Sequence, residues 1–77
     1  MNIEQIINNW DPYSLFPFAP KDEYSEEITK IQNYISINHD IDSLTKYLEK
    51  IFHVDIIFEE EKKYFVKIAN KILDSVG

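Results

Sequence analysis

His39 and His53 are the only imidazoles in this 77-residue chain, and it has no cysteine. Neither histidine belongs to a His-x-x-x-His or His-Glu-x-x-His pattern, the spacing that lets two rings on one helical face close on a single zinc ion. Any metal site would have to be completed by carboxylates. The densest carboxylate group is Asp22, Glu23, Glu26 and Glu27. On a helix Glu23 shares a face with Glu27, and Asp22 with Glu26, but no Asp-x-Asp-x-Asp-Gly loop accompanies them. Acids at a helix start are what the helix dipole favours, so these four read as solvated N-terminal charges. Glu59-Glu60-Glu61-Lys62-Lys63 reads as a solvated helix face, with Glu59 paired to Lys63 and the Lys62 stem lying beside Phe58 and Phe65. Serines occur without a Gly-x-Ser-x-Gly elbow, and the lone Gly77 leaves no glycine-rich phosphate loop. A chain this small has little room for a pocket of about 300 Å3 or more. The expectation is a protein that is not an enzyme, with no catalytic residue, no metal and no cofactor.

One segment is unusual. WDPYSLFPFAPKDEY, Trp10 to Tyr24, holds three prolines and five aromatic residues. Asp11-Pro12 is a turn starter or a capped single turn, and either geometry makes the Asp11 carboxylate a backbone acceptor rather than a catalytic or ligand group. Pro17 and Pro20 are expected to hold the following stretch extended and to reduce the entropy lost on ordering it. Leu15, Phe16 and Phe18 then have two uses. They can lie across the core as a clasp, each aromatic contributing about 1.5–3 kcal/mol if fully buried. Or they can form an exposed recognition face, since aromatics dominate interface hot spots. The two uses are compatible if Trp10 and Phe16 are buried while Tyr13 or Phe18 points outward. The structural loop or interaction face is accordingly Trp10, Asp11, Pro12, Leu15, Phe16, Phe18, Pro20, Asp22, Glu23 and Tyr24.

Charge narrows the partners. Eight lysines face fourteen acids, a net charge of −6, and there is no arginine. Nucleic-acid binders neutralise phosphates with clustered Lys and Arg, so neither nucleic acid nor an anionic membrane is an expected partner. Six of the acids and one lysine fall in residues 1–27, so the acidity surrounds the aromatic segment. It serves solubility and dipole pairing, or steers a basic partner there. No run approaches the roughly 18 apolar residues of a membrane span. MNIEQIINN lacks the basic start of a secretory signal, and the expected location is cytoplasmic.

The elements that must position these residues are helices. Ile3, Ile6, Ile7 and Trp10 mark one face of a first helix over about 2–9, ended by Pro12. Tyr24, Ile28, Ile31 and Ile35 mark a second over 22–37, capped by Asp22. Ile41, Leu44, Leu48 and Ile51 mark a third over 41–52, capped by Asp40 or Asp42. His53–Ile57 reads as a connection, because a lone strand would have no partner. Phe58, Phe65, Ile68, Ala69, Ile72, Leu73 and Val76 mark a fourth over 58–75. The fold class is all-α, a single-domain bundle of about four helices over residues 1–77, with an ordered Pro/aromatic loop at 10–21.

The run Trp10-Asp11-Pro12, Leu15 and Pro20-Lys21-Asp22-Glu23-Tyr24, with its acidic helix start and a late Ala69, resembles the YugE-like family of small bacterial helical proteins, a domain of unknown function. The resemblance implies a four-helix fold and no established activity. That family often carries Gly where this chain has Ser14, a position that then tolerates φ > 0; serine there either does not need that geometry or is strained by it. The Trp-Asp-Pro … Asp-Glu-Tyr pattern also resembles segments in small proteins of the kind encoded beside bacterial toxins. The leading expectation is a protein-interaction module, with an antidote towards a basic protein as its concrete form. The alternatives are a ligand-binding or enzymatic protein with a cavity near Trp10, Tyr24 and Tyr34, and a homodimer through the last helix.

Overall fold

The first and third helices begin at caps supplied by their own flanking residues. The computed structural model describes residues 2–76. The first helix, α1 (Ile3–Trp10), opens on a capping box: Asn2 Oδ1 accepts the Gln5 N–H at 2.8 Å and Gln5 Oε1 accepts the Asn2 N–H at 3.1 Å. Its buried stripe is Ile3, Ile6, Ile7 and Trp10. The helix stops at Asp11, which turns to φ 43°, a left-handed geometry that Asp tolerates better than most residues. The helices α2 (Ser25–Ile35) and α3 (Ile41–Ile51) follow, joined by a turn in which Asp40 caps α3 by accepting the Ser43 N–H at 2.9 Å. The last helix is α4 (Phe65–Val76).

The helices form a closed ring in which α1 packs on α2, α2 on α3, α3 on α4 and α4 back on α1, with α3 and α4 in the most extensive contact. Ile7, Ile31, Leu44, Leu48, Ala69 and Ile72 are sealed completely within it. The radius of gyration, 11.6 Å, matches the about 11.5 Å expected of a compact chain of this length, so the four helices share one core. Among the described residues no helix is long and apolar enough to cross a membrane.

Several helix boundaries differ from the sequence expectation. The second helix starts at Ser25 rather than Asp22. Residues 21–24 instead wind through turns closed by Glu23 N–H to Pro20 O (3.1 Å) and Ser25 N–H to Asp22 O (3.0 Å), so Asp22 supplies a carbonyl and not a side-chain cap. It ends at Ile35 rather than residue 37, and the third ends at Ile51, with Phe52 already extended. The largest difference is at the fourth. Residues 58–64 are not α-helical: short 3-10 turns at Val54–Ile56 and Glu60–Lys63 precede α4. An α-helix through this stretch would need the Lys62 carbonyl to accept the Val66 N–H. That carbonyl accepts the Trp10 indole N–H instead, at 2.9 Å. The ion pairs shift accordingly. Lys62 meets Glu59 (2.8 Å) and Lys63 meets Glu60 (3.1 Å), three residues apart, because a 3-10 turn has three residues per revolution; the expected Glu59–Lys63 pair does not form.

The apolar face of α4, the surface of the alternative homodimer reading, packs largely within the chain. Phe65, Ile68, Ala69 and Ile72 are buried within the chain, and Val66 and Val76 remain exposed.

Candidate functional site

Asp11 organises the aromatic segment. Its left-handed backbone throws the carboxylate forward over the next turn. There Oδ1 accepts the Leu15 N–H (3.0 Å), Oδ2 accepts the Phe16 N–H (3.1 Å), and the Tyr24 hydroxyl donates to Oδ1. Burial alone would push the Asp11 carboxyl up. The Tyr24 hydroxyl, the two N–H groups and the Lys62 charge outweigh it and hold the carboxyl below its ordinary value. Tyr24 is pushed the other way, well above an ordinary phenol, first by burial and then by the hydrogen bond it gives to Asp11. Tyr24 stays the donor, and its oxygen accepts the Tyr13 N–H at 3.2 Å. The Tyr13 hydroxyl in turn accepts the His53 N–H at 2.7 Å, tying the segment to the end of α3.

The 3-10 turn before α4 locks the other side. Lys62 Nζ donates to the Asp11 carbonyl (2.8 Å) and to Ser14 Oγ (3.1 Å), and it pairs with Glu59, whose carboxylate also accepts from the Ser14 hydroxyl (3.2 Å). An ammonium has three hydrogens to give, and all three have acceptors here. This constellation holds the chain in place and leaves Lys62 no donor for a substrate. Ser14 sits at φ 54°, so the position does require the geometry in which glycine is at ease. Its hydroxyl joins the latch in return. The Glu59 carboxylate is held below the usual range by its hydrogen bond to Lys62 and that residue's charge.

The residues of the expected site fall into two groups. Trp10, Pro12 and Tyr24 are buried, and Leu15 and Phe16 are half-buried against the core. Trp10 packs edge-on against Phe52 (centroids 5.0 Å apart) and Phe65 (5.6 Å), and Phe16 edge-on against Tyr24 (5.6 Å). Phe18, Pro20, Asp22 and Glu23 lie exposed, with Phe18 at 95% of its full accessibility. The stretch does not run extended. Leu15 O accepts both the Phe18 and the Ala19 N–H groups, so the chain folds back and presents Phe18 at its tip. Sequence reasoning missed Tyr13, Ser14, Glu59 and Lys62 as members of this network. Only the adjacency of Ser14 to the Asp11-Pro12 turn hinted at any of them.

The cavity expected near Trp10, Tyr24 and Tyr34 does not form around those three. Tyr34 stacks on Tyr47, with centroids 4.2 Å apart and planes 7° from parallel, whereas Trp10 and Tyr24 both face Phe52. A hollow of about 160 Å3 lies beside Trp10, with Asn9, Tyr64, Lys67 and Lys71 around it, below the about 300 Å3 at which ligand pockets begin. A larger groove, about 540 Å3, runs between α1 and the start of α2, with Glu4, Asn8, Phe16, Asp22 and Ile28 along it. His39 and His53 are exposed in separate turns.

Compared with known families, residues 2–74 match the model of a family described as a domain of unknown function (DUF1871). That match carries neither the YugE-like name nor a bacterial origin. No curated protein and no solved structure matches the chain.

Proposed function

We infer that this chain, which belongs to the family described as a domain of unknown function (DUF1871), is a non-enzymatic protein-interaction module whose contact face is the tip of the Asp11–Tyr24 loop. The observation that carries this reading is Phe18: a large aromatic ring, 95% exposed, on a loop otherwise fastened at both flanks. An aromatic side chain held out on an ordered loop is preorganised, so docking it into a partner's pocket forfeits little conformational freedom. Asp22 and Glu23 stand exposed four and five residues on and give the rim a negative charge. The partner class this favours is a basic protein, and an antidote that covers such a protein is its most concrete form. Acidic rims of this kind accelerate encounter and make it sensitive to salt.

The test compares the wild-type chain with Phe18→Ala as immobilised bait. The reading expects a basic protein to be retained at low salt, to be released as salt rises, and to be lost from the Phe18→Ala bait. Equal retention by both baits would overturn the loop tip as the contact face. Because Phe18 touches so little of its own chain, its replacement should alter folding stability by no more than about 0.5 kcal/mol, so lost binding cannot be blamed on unfolding.

A further inference from the structure

The groove between α1 and the start of α2 borders the same loop, and Asn8, one of the residues along it, carries a buried oxygen with nothing to bond. Asn8 Oδ1 is shut off from water and has no hydrogen-bond partner among the described residues. Buried carbonyls are ordinarily paired, and one left bare in a chain this small weakens the fold without return. Such exceptions concentrate where a ligand supplies the missing group. The groove's other walls say what that group is attached to. Phe16 and Ile28 are apolar, and the Phe16 ring is half-buried, edge-on to Tyr24 and thereby fixed. Glu4 and Asp22 stand exposed on the rim with one lysine, Lys21, leaving it net negative. Among the described residues neither acid has a cationic partner within 4 Å; the ion pairs are those of Lys62 and Lys63. The volume, about 540 Å3, exceeds one side chain and suits a side chain with the backbone that carries it.

We propose that this groove receives an arginine side chain of the basic partner. The methylene stem lies along Ile28, the guanidinium plane rests on the Phe16 ring, one N–H meets Asn8 Oδ1, and Asp22 and Glu4 complete the charge. Guanidinium fits better than ammonium because it is planar, weakly hydrated, and able to stack on a ring while its edge donates. The terminal torsion of an asparagine is soft, so a donor entering the groove can turn the Asn8 amide to meet it. The proposal rests on the interaction reading above, but it concerns a different surface from the Phe18 tip.

The experiment is an NMR titration of the full chain with N-acetyl-arginine amide, with N-acetyl-citrulline amide as its uncharged isostere. The expected result is saturable shifts at Asn8, Phe16, Ser25 and Ile28 with a Kd of about 1 mM, a plausible value for a ligand of this size, and a response to citrulline at least several-fold weaker. Asn8→Leu should weaken arginine binding about tenfold while leaving the melting temperature unchanged or higher, because it removes an unpaired buried carbonyl. Asp22→Asn, an exposed change that leaves the fold intact, should weaken binding as well. Phe18→Ala should leave the arginine titration untouched even as it abolishes partner capture, so the two readings fail separately. Shifts scattered away from the groove, an equal response to citrulline, or undiminished binding by Asn8→Leu would overturn the proposal.

Discussion

Asp11 and Ser14 both sit in left-handed backbone, and each uses a short polar side chain to make that geometry tolerable. For Ser14 the balance is open to measurement. A non-glycine residue there costs about 1–2 kcal/mol of backbone strain, and the hydroxyl recovers part of it through Lys62 and Glu59. Ser14→Ala keeps the strain and loses the hydroxyl, so it should destabilise by about 1 kcal/mol in urea melts; Ser14→Gly loses the hydroxyl but also the strain and should lie about 1 kcal/mol above the alanine variant. Equal stabilities for alanine and glycine would show that the turn is not strained. Tyr24 offers a second residue-scale test, on the alkaline side. Its folded value is raised above an ordinary phenol, so its contribution is complete below about pH 10 and is lost as pH climbs towards the folded value. Tyr24→Phe should be about 1 kcal/mol less stable than wild type at neutral pH, and that gap should narrow in strong alkali. A gap that stays constant with pH would mean the Tyr24 hydroxyl is not the protected donor described here.

Helices were legible in the sequence wherever a single chain segment decided the outcome. The 3-4 spacing of Ile3, Ile6, Ile7 and Trp10 states the buried face of α1, and Asp40 states the start of α3. The boundary that moved furthest, the start of α4, was decided by residues far away in the chain. Glu59 to Lys63 has every local credential of an α-helix, yet Trp10, more than fifty residues earlier, takes the Lys62 carbonyl and Asp11 takes its ammonium. The candidate site was legible in the same measure. Asp11 as a backbone acceptor follows from its place before Pro12, whereas which aromatic would point outward depended on how the loop folds back. The 3-10 turn should behave as a unit clamped to α1. Lys62→Met keeps an apolar stem but removes all three donated contacts, and it should cost about 1–2 kcal/mol. Amide exchange should then speed up at Lys62 and at Ser14, with Leu48 and Ile72 in the sealed core following only the global change. Uniform acceleration across the chain would mean that the turn has no local opening of its own.

At the scale of the whole molecule, acid acts on this chain in two opposed ways. The net charge of −6 at neutral pH is self-repulsive, and it falls to zero at the isoelectric point near 4.7, which relieves that repulsion. Below that the network takes over. Asp11, Asp40 and Glu59 all have folded values below the ordinary range, so each contributes stability that is complete above its unfolded value of about 4 and is lost as pH falls through its folded value. Asp40 and Glu59 lie in solvent, where salt and water screen their contribution. Asp11 is partly enclosed and receives three hydrogen bonds, so the acid limb of the stability curve belongs chiefly to it. Asn is at home in left-handed backbone and can still accept one of those bonds, which makes Asp11→Asn a change of charge with little change of shape. Urea melts should place Asp11→Asn about 1–2 kcal/mol below wild type at pH 7. The two proteins should then converge as pH drops below about 4, because wild type loses by protonation what the variant has already lost by substitution. Parallel curves all the way down would move the origin of the acid limb away from Asp11, and with it the claim that this one carboxylate holds the loop that presents Phe18.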